Sequence, residues 1–305
     1  MNTPVALFLF KRPAETARVF AEIARAKPPV LLLIADAHRP DRAGEAALCA
    51  ETRAVVARVD WPCMVLRNYA EENLGCRRRL HSGLDWVFAQ YEEAILLEDD
   101  CLPHPDFFGF CEAMLMRYRD DERIGHIGGC NLQLGRRWGG ASYYYSRYPH
   151  VWGWASWRRS WALYDVELRR WPELRATGWL RNWLGNIELQ SSWTRIFDDV
   201  YEGKVDTWDY QWTFACWMQR ALSVVPMTNL ISNIGHGAGA THTLSASPYD
   251  ALPLQALGQP LVHPPKMLRN DAADTFTERL HGYRPRTEFK EWRRGLRRWL
   301  RRESG

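Results

Sequence analysis

Glu98, Asp99 and Asp100 stand side by side in the segment AILLEDDCLPHP, directly after a short apolar run. Adjacent carboxylates repel one another, so a fold that keeps them together needs a positive charge to offset them. A hard divalent cation does this: it takes oxygen ligands and keeps its other positions for water and substrate phosphate. The competing explanation is a solvated turn, or a helix cap ahead of PHPDFF. A buried strand that delivers the acids to a ligand crevice favours the cation. Pro103 and Pro105 would then stop the chain from running on through the site as strand or helix.

The surrounding elements decide between the two. Val5 to Phe10, PPVLLLIAD, CMVLRN and AILLED are apolar runs of strand length, and Ala14 to Ala26, Ala43 to Arg58 and the stretch from Gly75 carry helical spacing. In the last of these, Leu80, Leu84, Val87 and Phe88 form the inner stripe. Strands that are continuously apolar belong to a parallel sheet covered on both faces. The predicted fold class is α/β: a Rossmann-like, mostly parallel sheet with helices on both faces. Ligands of such sheets bind beyond the carboxyl ends of the strands, where Asp36, Asn68 and Glu98 to Asp100 stand. Phe107 to Arg119 predicts a further helix, IGHIGGCN a short strand, Trp161 to Glu202 a helical region, and TWDYQWTFACWMQRALSVVP a helix running into a strand. Pro253 to Arg286 has little periodicity and reads as an extended tail laid over a single domain.

With 305 residues, 46% of them hydrophobic, the chain can fill a sizeable core. The net charge of +4 sits in the C-terminal segment, where Arg284 to Arg302 holds nine Arg or Lys against Glu288 and Glu291. The body then lacks the basic face that a nucleic-acid partner requires. Seven scattered cysteines with no CxxC pair fit a reduced, cytoplasmic compartment. Val5 to Phe10 is too short for a signal segment or a membrane span. Neither GxxxxGK[ST] nor a convincing GxGxxG occurs, so a diphosphate would be held by the cation and a few basic side chains. The 16 tryptophans are core fillers first, and stacking on a sugar or nucleobase is the sharper reading for a few.

Further polar residues recur downstream. VDTWDYQW puts Asp206 and Asp209 near a helix start, three residues apart and on one face. Asp209, set among aromatic residues that could stack on a sugar, is the better general base for an acceptor hydroxyl; helix capping is the competing role for either acid. In HVWGWASW the small Gly153 and Ala155 between Trp152, Trp154 and Trp157 predict a close-packed turn. The glycine-rich NIGHGAGATHT carries His236 and His242.

In order and spacing, FKRPAET, IADAHRPDR, NLGCRRRLHSGLDWVF, AILLEDDCLPHPDFF and HVWGWASWRRSW resemble the nucleotide-sugar glycosyltransferases of the GT-A fold, closest to bacterial relatives of the Golgi N-acetylglucosaminyltransferase I family and to the family 2-like transferases. The resemblance spans Val5 to Thr243. It implies a GT-A domain over 1–245, with a nucleotide-binding half (1–130) and a helical acceptor half (131–245), and a tail over 246–305 ending in a basic amphipathic helix. It implies that Glu98-Asp99-Asp100 stands for the family's Asp-x-Asp motif, with Asp100 on Mn²⁺ or Mg²⁺, Glu98 facing the donor ribose, and Asp99 facing the donor sugar or a metal-bound water. By the same resemblance Arg12 would lie by the nucleotide and Asp36 would read the base. Arg78 or a neighbour in CRRR would approach the diphosphate at its helix start, the HVWGWASW segment with Trp154 would lie under or beside the donor sugar, and His242 would be a second metal ligand.

The implied reaction moves a sugar from a nucleoside-diphosphate donor, with UDP expected, to a hydroxyl of a saccharide, lipid-linked or protein acceptor. It is an inverting displacement serving surface-polysaccharide or glycoconjugate synthesis. A glycoside hydrolase also uses two carboxylates, but needs neither acids at a strand end nor Arg12. A non-catalytic carbohydrate-binding protein or degenerate transferase would keep the tryptophans without the nucleotide.

The tail segment EFKEWRRGLRRWLRR puts Phe289, Trp292, Leu296, Trp299 and Leu300 on one helical face with arginines around it. That is the pattern of a helix lying on an anionic surface, such as the cytoplasmic face of an inner membrane. A helix docked on the body is the alternative, and Gly295 weakens the helix in either case. Deleting Arg284 to Gly305 should release the protein from anionic vesicles in a sedimentation assay; unchanged partition would reject the membrane role.

Overall fold

The computed structural model describes residues 1–235, 249 and 251–280. Its first part alternates strand and helix: β1 (Val5–Leu9), α1 (Pro13–Ala26), β2 (Val30–Ala35), α2 (Glu45–Val55), β3 (Met64–Tyr69), α3 (Gly75–Gln90) and β4 (Glu93–Glu98). There follow β5 (Cys101–Pro103), α4 (Asp106–Arg117), β6 (Ile124–Gly128), β7 (Tyr143–Ser146), β8 (Trp154–Trp157), α5 (Arg158–Trp161), α6 (Trp171–Ala176), α7 (Trp179–Leu184) and α8 (Ile187–Tyr201). The last elements are α9 (Asp209–Met218), β9 (Leu222–Pro226), β10 (Ile231–Asn233) and α10 (Asp271–Leu280).

One sheet of 8 strands runs in the order β3-β2-β1-β4-β8-β6-β9-β7, and β5 pairs with β10 in a separate ribbon. β3, β2, β1 and β4 are parallel neighbours. β8 runs against both β4 and β6, β9 is parallel to β6, and β7 closes the edge antiparallel. The mostly parallel α/β sheet expected from the apolar runs is therefore present.

Alternate residues of each strand feed opposite faces. Val5, Leu7 and Leu9 with Leu31 and Leu33 share a core with Val19 and Ile23 of α1 and Phe107 and Met114 of α4. Ala6 and Phe8 with Leu32 and Ile34 share another with Trp212 of α9 and the predicted α3 stripe of Leu80, Leu84, Val87 and Phe88. A third cluster, with Trp171, Trp193, Phe197, Phe214 and Trp217, joins α6 to α9, so these tryptophans are packing residues.

Three stretches depart from the sequence expectation. WASW is a strand, β8, inserted between β4 and β6, rather than part of a turn. The acids are followed by a short strand, not a break: Pro103 ends β5 opposite Ile231, a position at which proline is tolerated because the ribbon has only two strands. The expected extended tail contains α10, which packs on β7, with Asp274 accepting from Ser146 Oγ (2.6 Å) and Arg147 N (3.2 Å). Its buried residues are Ala273, Asp274, Thr277 and Glu278, so no apolar stripe announced it. Tyr249 and Leu257 are also buried in the sheet's core. Among the described residues no helix is long and apolar enough to cross a membrane.

Gly153 joins the loop before β8 to the ribbon. Its φ is +57°, and a Cβ there would lie 2.4 Å from Ile231 Cδ1. Its carbonyl accepts from Gly129 N at 2.8 Å. Gly153→Ala should combine left-handed strain with overpacking and destabilise the fold by about 2–4 kcal/mol, read as a lower urea midpoint at unchanged m-value.

Candidate functional site

β1 lies between β2 and β4, so the strand order reverses there. The crevice outside the carboxyl ends at such a switch point is where doubly wound sheets bind ligands. Arg12 follows β1 at this crevice, and Glu98 ends β4 in register with Phe8. Asp99 is buried and turned back on the β1 loop, accepting from Phe10 N at 2.9 Å and from Arg12 Nη1 at 3.3 Å. The same guanidinium nitrogen donates to Asp100 Oδ2 at 2.6 Å. Arg12 is thus the protein's own compensating charge. It does not fully compensate: burial first, then the neighbouring Asp100 and Asp99 charges, push Glu98 up to about 8 against the opposing pull of Arg12. Burial and Asp100 likewise push Asp99 up to about 7.

Two more acids arrive from far along the chain. Asp209 opens α9, and one of its oxygens accepts from Thr207 Oγ1 and from Tyr210 N (3.0 Å). Its charge also acts on Glu98. Asp206 precedes the helix rather than sharing its face, and a Cβ on Gly75 would lie 3.2 Å from its Oδ2. Between these acids lies Cys76, in the first turn of α3. Burial, then Glu98, Asp206, Asp209 and Asp36, drive its thiol far above the ordinary value. Cys76 carried no sequence signal, because a lone cysteine in CRRR has no spacing partner.

Asp36 has a different role from the expected base reader. Its carboxylate accepts from Ala37 N (2.9 Å), Leu74 N (3.0 Å), Gly75 N (3.1 Å) and Asn73 Nδ2 (3.1 Å). A carboxylate has about four acceptor positions, so these donors fill it, and Asp36 clamps the entry to α3. The same clamp occupies the helix start expected to help Arg78. Arg78 itself is exposed and forms no ion pair among the described residues, whereas Arg79 is buried and donates to Asn68 O (2.6 Å) and Oδ1 (2.9 Å).

Trp154 is 3% exposed, stacked on His126 at 5.2 Å and on Trp208 at 5.7 Å. It belongs to the floor of the site, and its buried ring has no open face for stacking on a sugar. His126 links that floor to the walls: its Nδ1 accepts from Trp212 Nε1 (3.1 Å) and its Nε2–H donates to His150 O (3.0 Å). Burial lowers it to about 3, which keeps the imidazole neutral and this tautomer in place.

His242 and His236 lie outside the described residues. The chain that leads to them passes directly against Asp100: Ile234 N donates to Asp100 O at 2.8 Å, and a Cβ on Gly235 would lie 2.2 Å from Asp100 Oδ2. Among the described residues no group of three His, Cys, Asp or Glu side chains is arranged to hold a metal. Beside Asp209 opens a cavity of 260 Å³ lined by Trp152, Trp193 and Tyr210, with Tyr148, Thr277 and Glu278 also in its lining. Tyr148 Oη donates to Glu278 at 2.8 Å.

No family model and no curated protein matches the chain. Among solved structures, an apo UDP-glucose pyrophosphorylase is similar at TM-score 0.37 and 8% identity, covering 76% of this chain and 93% of the other. A 4-diphosphocytidyl-2C-methyl-D-erythritol synthase from Anaerococcus prevotii is similar at TM-score 0.33 and 7% identity, covering 53% and 74%. A UDP-glucose pyrophosphorylase complexed with UDP-glucose is similar at 0.30 and 11%, covering 53% and 79%. Likenesses of this degree say nothing of what this chain binds.

Glu98 and Asp99 ionise later in the folded chain than in the unfolded one, where carboxyls titrate near about pH 4. The folded state therefore holds more protons between about pH 4 and 8, and stability falls as pH rises through that window. Urea midpoints measured from pH 5 to pH 8 should decline, and Glu98→Gln should reduce the slope. Asp274, pushed up to about 7 mainly by burial, leaves a residual slope in that variant.

Proposed function

We propose that the chain is a metal-dependent glycosyltransferase that moves a sugar from a nucleoside-diphosphate donor to an acceptor hydroxyl. The observation that carries this reading is the convergence of Glu98, Asp99 and Asp100 at the β1/β4 switch point, with Asp209 acting on Glu98 and lining the neighbouring cavity. A nucleotide belongs in the crevice and an acceptor on the side of Asp209, whose charge acts on Glu98. The sequence resemblance to GT-A transferases supports the same division.

The residues fit a hard cation that takes few protein ligands. Such ions are held by one or two carboxylates plus substrate phosphates and water, and Asp100 is the carboxylate on the crevice side, with His242 proposed beside it. When bound, the cation neutralises charge on the departing diphosphate. Arg12, which already bridges Asp99 and Asp100, is the side chain placed to pair with the phosphates. Asp209 takes the acceptor proton as the hydroxyl attacks the anomeric carbon, its carboxylate oriented by Thr207 and the Tyr210 amide. Glu98 faces the donor side, and Asp99 keeps the β1 loop and Arg12 in position.

Asp100→Asn should abolish Mn²⁺-dependent binding of UDP in calorimetry while leaving the fold intact. Asp209→Asn should retain nucleotide binding and lower turnover by about 10²–10⁴-fold, the usual worth of a general base. Nucleotide binding that is equally strong without Mn²⁺ and in Asp100→Asn would reject the metal site, and full turnover in Asp209→Asn would reject the base.

A further inference from the structure

We infer that an open pocket of 450 Å³ at the amino ends of β6 and β9 is a second binding site, for a small organic phosphate. Arg123, Arg220 and Arg269 line it, and its described lining holds no acid. β8 is antiparallel to both β4 and β6, so β6 runs the same way as β4, and β9 runs with β6. The amino ends of β6 and β9 therefore lie on the edge of the sheet opposite the Asp100 crevice. Neither the nucleotide nor the cation proposed for that crevice accounts for the basic pocket.

Two of the three guanidiniums are held by acids beside the pocket. Arg123 gives Nε and Nη2 to Asp121 at 2.9 and 2.7 Å. Arg269 pairs through Nη2 with Asp271 and through Nε with the buried Asp274 at 3.8 Å. A guanidinium has five donors, and in both residues Nη1 is left without an acid. Asp274 is also shared with Arg147 at 3.6 Å, so one carboxylate there faces two cations. The side chain of Arg220 is exposed and has no ion pair among the described residues.

The backbone at Arg220 carries the argument furthest. Arg220 N donates to Trp217 O and Ala221 N to Cys216 O, both at 3.0 Å, which closes α9 with the pair of bonds of a Schellman motif. The left-handed residue of that motif is usually glycine, and here Arg220 holds it at φ +53°. A side chain is kept where its own backbone would favour none. A cation at a helix end also suits the helix dipole, a role that needs no ligand and that the test below separates.

Shape and size narrow the ligand. Guanidinium forks match phosphate oxygens, and donors converging from three arginines suit a tetrahedral anion better than a planar carboxylate. Small-molecule sites run to about 300–1,000 Å³, so a bare phosphate leaves most of this pocket unfilled. Trp183, Leu222 and Met267 supply an apolar wall for the rest of the molecule.

The test uses the full chain in EDTA, without nucleotide, so its outcome is independent of the transferase reading. Calorimetry with phenyl phosphate, inorganic phosphate and phenol should show phenyl phosphate bound, inorganic phosphate bound more weakly and phenol not at all. Arg220→Gly and Arg220→Gln should each weaken phenyl phosphate by about tenfold, the order of one charged hydrogen bond. Arg220→Gly should at the same time raise the urea midpoint, because glycine relieves the left-handed backbone. Phenyl phosphate binding that survives in both variants would overturn the site and assign anion binding to the basic segment Arg284 to Arg302. Equal binding of phenyl phosphate and inorganic phosphate would overturn the organic ligand. Sedimentation with phosphatidic acid vesicles separates the remaining source: vesicle binding that drops in the Arg220 variants, with no phenyl phosphate bound, would place the phosphate on a lipid headgroup and overturn the small-molecule site.

Discussion

The guanidinium of Arg12 is the contact on which the architecture of the crevice depends. It reaches two acids at the end of β4 from the loop after β1, and Asp99 returns the contact through Phe10 N. Like charges at about 4 Å oppose each other by on the order of 4 kcal/mol at an effective dielectric of 20. One guanidinium cannot offset Glu98, Asp99, Asp100 and Asp209 together when all are ionised. The folded protein therefore retains protons on these acids, and folding is linked to their protonation.

Much of the half built on β1 to β4 was legible because its signals are local. Continuous apolar runs announced β1, β2 and β4, and the helical spacing of Leu80, Leu84, Val87 and Phe88 announced the inner face of α3. The acids at the end of β4 could be placed because a strand end in a parallel sheet has one functional direction. Side-chain partnerships were not legible in the same way. Asp36 looks in sequence like any acid at a strand end, yet four donors from 37 and 73–75 make it a clamp. Trp154 and Trp152 are neighbours in a tryptophan-rich run, but Gly153 turns the chain between them at φ +57°, so that Trp154 enters β8 in the floor while Trp152 stays in the loop on the cavity wall. No composition argument separates them.

The tail shows a different limit. Amphipathic patterns reveal helices that bury apolar stripes, and α10 instead buries Asp274, Thr277 and Glu278 against hydroxyl, amide and guanidinium partners. Such a helix is specified by hydrogen bonds made over 127–144 residues of sequence separation for Ser146, Arg147, Tyr148 and Gln133. A pattern search along the chain cannot register these pairings, although they complete the cavity beside Asp209.

The position of β8 has a mechanical consequence. It is hydrogen-bonded on one side to β4, which carries the acids, and on the other to β6, so the crevice half and the α9 half belong to one continuous sheet. Bending the two halves toward each other would break ladder bonds in the middle of the core. Many enzymes exclude water by swinging domains about a hinge, and this molecule is denied that route. Any closing of the crevice falls to side chains and loops at its rim, moving on a frame that stays still.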